Sequence, residues 1–185
     1  MSKTMRTTRA AQQGFTLVEM LIAVVVVLVG LVAVAQLVPT SVLMNANNRN
    51  DGTATVFAQQ MMEALREQPL ANTTFSDPAG VTCYPALSLC NLGDPTQPRV
   101  LVGSPVTVNP ANLAIIDFSA GPVAGYSFTY VDPNDPYGAT YDVRWAVITM
   151  TNAQVVTGKR FIVGVFRRNV NTTTVPITID SMVEK

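Results

Sequence analysis

Polar and apolar positions divide the chain into stretches of different rhythm. Residues 1–14 are polar, with Lys3, Arg6 and Arg9 and no acid. From residue 20 to 38 the only polar side chain is Gln36, and Gly30 is the only small break. Extended back to Phe15, the run is 24 residues long and carries one charge, Glu19. A helix needs about 20 mostly apolar residues to cross the hydrocarbon core of a bilayer. The run lacks alternation and is too long for a strand. Basic residues precede it, and Arg49 is the first to follow. The positive-inside rule therefore predicts a transmembrane helix over 15–38 with its N-terminus in the cytoplasm and the rest of the chain across the membrane.

Residues 39–68 read PTSVLMNANNRNDGTATVFAQQMMEALREQ. Pro39 lacks a backbone N–H and is able to kink a helix. Residues 45–52 are polar, weak helix formers, so fraying or a break is expected there. Ala54, Phe57, Ala58, Met61, Met62 and Leu65 then recur every three or four residues, the stripe of an amphipathic helix. Glu63, Arg66 and Glu67 fall on the outer face, and Pro69 ends the helix. The Met-rich stripe reads as a face for a sheet to pack on, in preference to a ligand site. An uninterrupted helix over 15–67 would be about 80 Å long at 1.5 Å per residue.

Residues 69–112 have loop composition, rich in Pro, Asn, Thr, Ser and Gly, with short strands expected at 99–102 and 106–108. Cys83 and Cys90 lie in this region. The predicted topology puts them in an oxidising compartment, and a Cys83–Cys90 disulfide is expected. It would close a short loop and stabilise by about 2–3 kcal/mol, mainly through the unfolded state. No His and no third Cys accompanies the pair, which argues against metal or catalytic use. From residue 113 the chain is strand-like, rich in β-branched and aromatic residues over 113–118, 126–131, 140–151, 154–168 and 175–179. Tyr141, Val143, Trp145, Val147 and Thr149 alternate with Asp142, Arg144, Ala146 and Ile148. Asn152-Ala153 is the expected tight turn of a long hairpin. The fold class predicted is α+β, a long N-terminal helix packed on an antiparallel sheet.

Composition narrows the chemistry. The length of 185 residues fits one domain, or a small domain with an appendage. Only 13% of residues are charged, against about 25% in ordinary soluble proteins, and the chain is too apolar to be disordered. With 12 basic and 12 acidic side chains the formal charge is zero, so nucleic acid is not an expected partner. There is no histidine, which removes the commonest general base and metal ligand. Two cysteines cannot build a Cys-rich zinc site. No nucleophile elbow or phosphate loop is present. No enzyme activity, cofactor or metal is expected. Asp132, Asn134 and Asp135 offer oxygen ligands of the kind Ca²⁺ takes, but loops of this composition are usually plain turns, and that is the reading preferred. Lys159-Arg160 and Arg167-Arg168 suggest a small basic patch, too small to support DNA binding and equally explained as charge guarding a strand edge.

A basic start and an apolar run also fit a secretory signal peptide, but its core is about 7–15 residues and ends in a small-x-small cleavage site. Here the run is longer and the Gly precedes it. A plain single-pass anchor is a further reading. Glu19 is the oddity for both. A carboxylate near the start of a lipid-spanning helix costs roughly 2–3 kcal/mol, less near the interface, and is normally paired. Solvation among headgroups is the simpler account of it. The order Gly14-Phe15-Thr16-Leu17-Val18-Glu19, after a short basic leader and before a long apolar run, resembles the type IV prepilin signature, a class III signal.

That resemblance implies a type IV pilin fold, cleavage by a prepilin peptidase between Gly14 and Phe15, and N-methylation of Phe15. It implies that Glu19 meets the N-terminal amine of a neighbouring subunit and sets assembly register. It implies a leader at 1–14, a transmembrane and filament-core helix at 15–38, its amphipathic continuation at 39–68, a connecting loop with the Cys pair at 69–112, and the sheet of a globular domain at 113–185. The implied partners are the peptidase, other pilins, an inner-membrane assembly platform and the lipid bilayer. The subunit would start in the inner membrane and end in an extracellular pilus or a periplasmic pseudopilus. Residues 141–147 and 159–165 look like the terminal hairpin of PilV-like minor pilins, and Gly30-Leu31 and residues 58–63 are similar to that group as well. Two departures stand out: Gln36 replaces the helix-bending Pro of many pilins, and the Cys pair lies in the connecting loop instead of near the C-terminus. The function implied is that of a minor pilin, a structural subunit. A type II secretion pseudopilin shares the N-terminal signature, and a membrane-tethered extracellular adhesin that does not polymerise is the alternative of another class. Loss of the leader removes Lys3, Arg6 and Arg9, leaving nine basic against twelve acidic side chains, a net charge of −3.

Overall fold

The computed structural model describes residues 14–78, 80, 82–86, 88–133, 135, 138–153, 155–168 and 175–184, with the side chains of 46, 47 and 50 excepted. Residues 1–13 of the expected leader lie outside the described residues. The chain divides into two compact units, residues 1–47 and 48–185. Helix α1 (Leu17–Glu67) contributes to both.

In the first unit, the most apolar 18-residue window within residues 17–45 has a mean hydropathy of 3.0, and none of residues 17–45 is buried. This stretch is long and apolar enough to cross a membrane. Pro39 lies inside the helix. Beside it, the hydroxyls of Thr40 and Ser41 both donate to the Leu37 carbonyl at 2.8 Å.

The expected interruption at 45–52 is absent, because α1 is assigned without a break across these residues. Helix formation is cooperative, and a weak stretch flanked by strong ones needs no new nucleus. Threonine hydroxyls also bond back to this segment, Thr53 to the Arg49 carbonyl at 3.0 Å and Thr55 to that of Asp51 at 2.8 Å.

The second unit is built on five strands. β7 (Thr140–Asn152) and β8 (Val155–Arg168) form a long antiparallel hairpin, and β9 (Ile177–Glu184) pairs with β8. The other edge of β7 is shared by two short strands. β3 (Leu101–Gly103) pairs with residues 146–148, and β6 (Ser127–Val131) pairs with residues 140–144. Buried Ser104 joins these two strands: its N–H donates to the Trp145 carbonyl at 3.0 Å and its hydroxyl to the Tyr126 carbonyl at 3.1 Å. Two further pairs flank the sheet, β1 (Thr74–Ser76) with β2 (Leu89–Asn91) and β4 (Val106–Val108) with β5 (Ala114–Ile116).

The core of this unit follows the period-2 rule of strands. Tyr141, Val143, Trp145 and Val147 bury one face of β7 with Phe161, Val163 and Val165 of β8. Ala54, Ala58, Met61, Met62 and Leu65 of α1 belong to the same cluster. The Phe57 ring lies 4.5 Å from that of Tyr130 and 5.5 Å from that of Tyr141. The opposite face of the sheet is covered too, where Ile116, Val106, Ala114 and Phe118 pack on Ala146 and Ile162. The result is three layers, helix, sheet and hairpin.

Several strand boundaries differ from the sequence reading. Arg99 has a φ of 65° and precedes β3, which starts at Leu101. β5 is shorter than 113–118, and the last strand runs 177–184 where 175–179 was expected. Asn152 belongs to β7 and pairs with Val155, so it is part of the strand and not of the turn. Ala153 takes a φ of 48° there, the positive sign that two-residue hairpin loops require. Gln154, the expected first residue of the second hairpin strand, lies outside the described residues. β1 and β2 arise in a region of loop composition and were not anticipated.

Candidate functional site

The residues singled out at the N-terminus gather around the start of α1. Gly14 and Phe15 precede the helix and are exposed, Phe15 at 82%. The Thr16 carbonyl accepts the N–H of Met20 at 3.1 Å. Its hydroxyl oxygen accepts the N–H of Glu19 at 3.2 Å. Thr16 is therefore an N-cap, satisfying one of the donors that a helix start leaves without an internal partner. Glu19 falls at the third helical position, where a carboxylate also suits the positive end of the helix dipole. Its side chain is exposed, and among the described residues it forms no ion pair. The sequence reading dwelt on Glu19 and passed over Thr16. The signal was present as the T-x-x-E order of a capping box ahead of an apolar run.

Cys83 and Cys90 are joined in a buried disulfide. Cys90 is on β2 opposite Phe75 of β1, and the next residue, Asn91, accepts the indole N–H of Trp145 at 2.8 Å. The bridge thus fixes the strand against which the only tryptophan is anchored.

At the 132–138 segment the described geometry is that of Asp135. This carboxylate is buried, accepts the N–H of Ala139 at 3.1 Å and faces the Arg167 guanidinium at 3.8 Å. It serves the turn and the ion pair. Among the described residues no group of three or more His, Cys, Asp or Glu is placed to hold a metal; Asn134 lies outside them.

The basic patch is corrected. Arg160 binds Asp180, Arg167 faces Asp135 and Arg168 binds Asp142. Lys159 is 2% exposed and donates to the Asn72 carbonyl. Desolvation lowers its pKa from 10.5 to about 8. The four cations therefore do not make a free patch. Arg144, which alternates along β7 with the apolar set from Tyr141 to Val147, is fully buried.

Residues 9–35 match the family described as the prokaryotic N-terminal methylation motif. The matched segment begins at Arg9 and takes in the Gly14–Phe15 junction, the Thr16 cap, Glu19 and the first part of the apolar helix. The match supports a type IV pilin-like or pseudopilin subunit, from a family of structural proteins, not enzymes. It also supports a membrane-anchored precursor. No curated protein and no solved structure matches the chain. The long apolar N-terminal helix followed by an antiparallel sheet is consistent with the α+β type IV pilin fold.

Proposed function

We propose that the chain is a minor structural subunit of a type IV pilus, made as a membrane-anchored precursor. A prepilin peptidase cuts between Gly14 and Phe15, and Phe15 is then N-methylated. The N-terminus faces the cytoplasm and residues 48–185 lie outside it, where the Cys83–Cys90 bond is stable. In assembly the apolar helix leaves lipid for a bundle of like helices, which keeps its surface away from water. The Glu19 carboxylate then meets the N-terminal amine of a neighbouring subunit, and an unmatched carboxylate in that low-dielectric core is penalised. One such contact repeated along an axis builds an open filament.

The observation that carries this reading is the match over residues 9–35, which spans the start of a helix exposed throughout residues 17–45. The minor-subunit assignment draws on the likeness of 141–147 and 159–165 to PilV-like pilins. A type II secretion pseudopilin remains the second reading, because the same N-terminal match serves it equally. Intact mass and N-terminal sequencing of the membrane-extracted protein test the processing step. A methylated Phe15 start is expected, and a chain that keeps Met1 or starts after Val38 overturns it. Glu19→Ala tests assembly: filament yield should collapse, whereas an unchanged yield favours a tethered adhesin that does not polymerise.

A further inference from the structure

We propose that Thr16 is a positioning residue for cleavage of the precursor: by starting α1 at Leu17 it keeps the Gly14–Phe15 peptide outside the helix, open to hydrolysis. This rests on the processing reading above. In the reaction water adds across the peptide. The Gly14 carbonyl carbon takes the oxygen and leaves as the carboxylate end of the leader. The bond from the Gly14 carbonyl carbon to the Phe15 nitrogen breaks, and the nitrogen takes its electron pair, gains a proton and becomes the new amine. The peptidase must reach the Gly14 carbonyl. In a helix extended back through Gly14, that oxygen would accept the N–H of Val18, four residues on. The structure forms the corresponding bond from Met20 to Thr16 instead, and the Glu19 N–H goes to the Thr16 hydroxyl. The two residues flanking the scissile bond are left outside the ladder and exposed.

The sequence around the bond makes such a stop necessary. Ala10, Ala11, Gln12 and Gln13 are good helix formers by type, and so is the run that begins at Leu17. Helix extension from an existing end needs no new nucleus. Gly14 opposes it through its backbone entropy, and the Thr16 cap is the second barrier. An independent observation points to the same junction, since the methylation-motif match spans it with five residues to spare on the leader side, 9–13.

The test is the cleavage rate of the full-length chain by a prepilin peptidase in membranes, followed as the ratio of precursor to mature protein in the carbonate-resistant fraction. Thr16→Val keeps shape and apolar character but loses the acceptor. It should slow cleavage, by up to about five-fold, the effect of an N-cap lost to an apolar residue on the helix-start equilibrium. Thr16→Ser and Thr16→Asn keep an acceptor and should stay within about two-fold of wild type. Cleavage of the Thr16→Val chain at the wild-type rate overturns the proposal. So does equal slowing by Ser, Asn and Val, which would mark a contact specific to threonine. A wild-type chain left uncut at Gly14–Phe15 overturns the processing reading itself.

Discussion

Arg144 grips Asp142 two residues along the same strand, Nε to one carboxylate oxygen at 3.0 Å and Nη2 to the other at 2.8 Å, with both side chains buried. Residues i and i+2 of a strand share a face, here the face covered by the β4–β5 hairpin. Arg144 Nη1 also donates to the Ala120 carbonyl at 2.7 Å, and its guanidinium lies 5.0 Å from the centre of the Phe118 ring. The pair therefore ties the segment after β5 to the sheet. Arg168 adds a second cation to the same carboxylate at 2.6 Å, but its side chain is 46% exposed.

The energetic ranking follows from burial. Asp142→Asn leaves Arg144 charged and uncompensated in the interior and should cost about 3–5 kcal/mol. Arg168→Ala removes a largely solvated partner and should cost about 1 kcal/mol or less. Urea unfolding of the full chain in detergent, followed by Trp145 fluorescence, reads both. Equal costs for the two variants would mean that Arg144 is not the charge that Asp142 compensates.

That network shows where the sequence was legible and where it was not. The apolar run and the Met-rich stripe could be read directly, because each is a local periodicity that needs no partner to be recognised. The inward face of β7, from Tyr141 to Val147, was equally plain. Asp142 and Arg144 belong to the other set of that alternation, whose burial the pattern does not state. Their burial depends on a hairpin drawn from a segment separated from them by more than twenty residues, which no local pattern announces. The three-residue strands β1 and β2 are invisible for the same reason, being fixed by the Cys83–Cys90 bridge and the Trp145 indole. Thr16 was legible as a cap and was overlooked beside Glu19.

Gly164 should tolerate no side chain. A Cβ built there meets Cβ and Cγ1 of Ile116 at 2.7 Å and the Phe118 ring at 3.0 Å. The covering hairpin rests directly on this backbone. Gly164→Ala should destabilise by about 1–3 kcal/mol through overpacking, and adding Ile116→Ala should recover part of that loss as a coupling energy. Gly121→Ala, with nothing within 4 Å, is the control and should be near neutral. Additive effects of the Gly164 and Ile116 substitutions in a double-mutant cycle would contradict direct contact.

Replacing both cysteines should loosen the strand that receives the Trp145 indole. Cys83 and Cys90 are seven residues apart, and the chain-entropy account of so short a loop gives about 2.5 kcal/mol. The Cys83→Ser, Cys90→Ser double variant should show a lower urea midpoint. Its Trp145 emission should be more easily quenched before global unfolding, because β2 is the element released first. A midpoint unchanged by reduction or substitution would show that the β1–β2 pairing holds the loop without the bridge.

Lys159 gives the protein an alkaline rise in stability. Burial lowers its pKa in the fold from 10.5 to about 8, while the unfolded chain keeps the ordinary value. Below about pH 8 the lysine is protonated in both states, and the fold carries the full penalty of a buried charge. Between about pH 8 and 10.5 the native state releases the proton and the unfolded state retains it. The unfolded state then binds more protons, so stability rises with pH over this window. The gap between the two values caps the rise at about 3 kcal/mol. The opposite sign applies to Tyr126 and Tyr141, whose phenols are pushed up by burial. Their neutral forms are favoured in the fold, and stability falls once the unfolded phenols ionise above about pH 10. An optimum between about pH 9 and 10 is expected from these two effects. Lys159→Met isolates the first of them. Urea titrations at a series of pH values should show the wild type gaining on the variant from pH 8 upward, with the difference levelling off near 10.5. A difference that stays flat across that range would mean that the Lys159 amine is solvated in the folded protein.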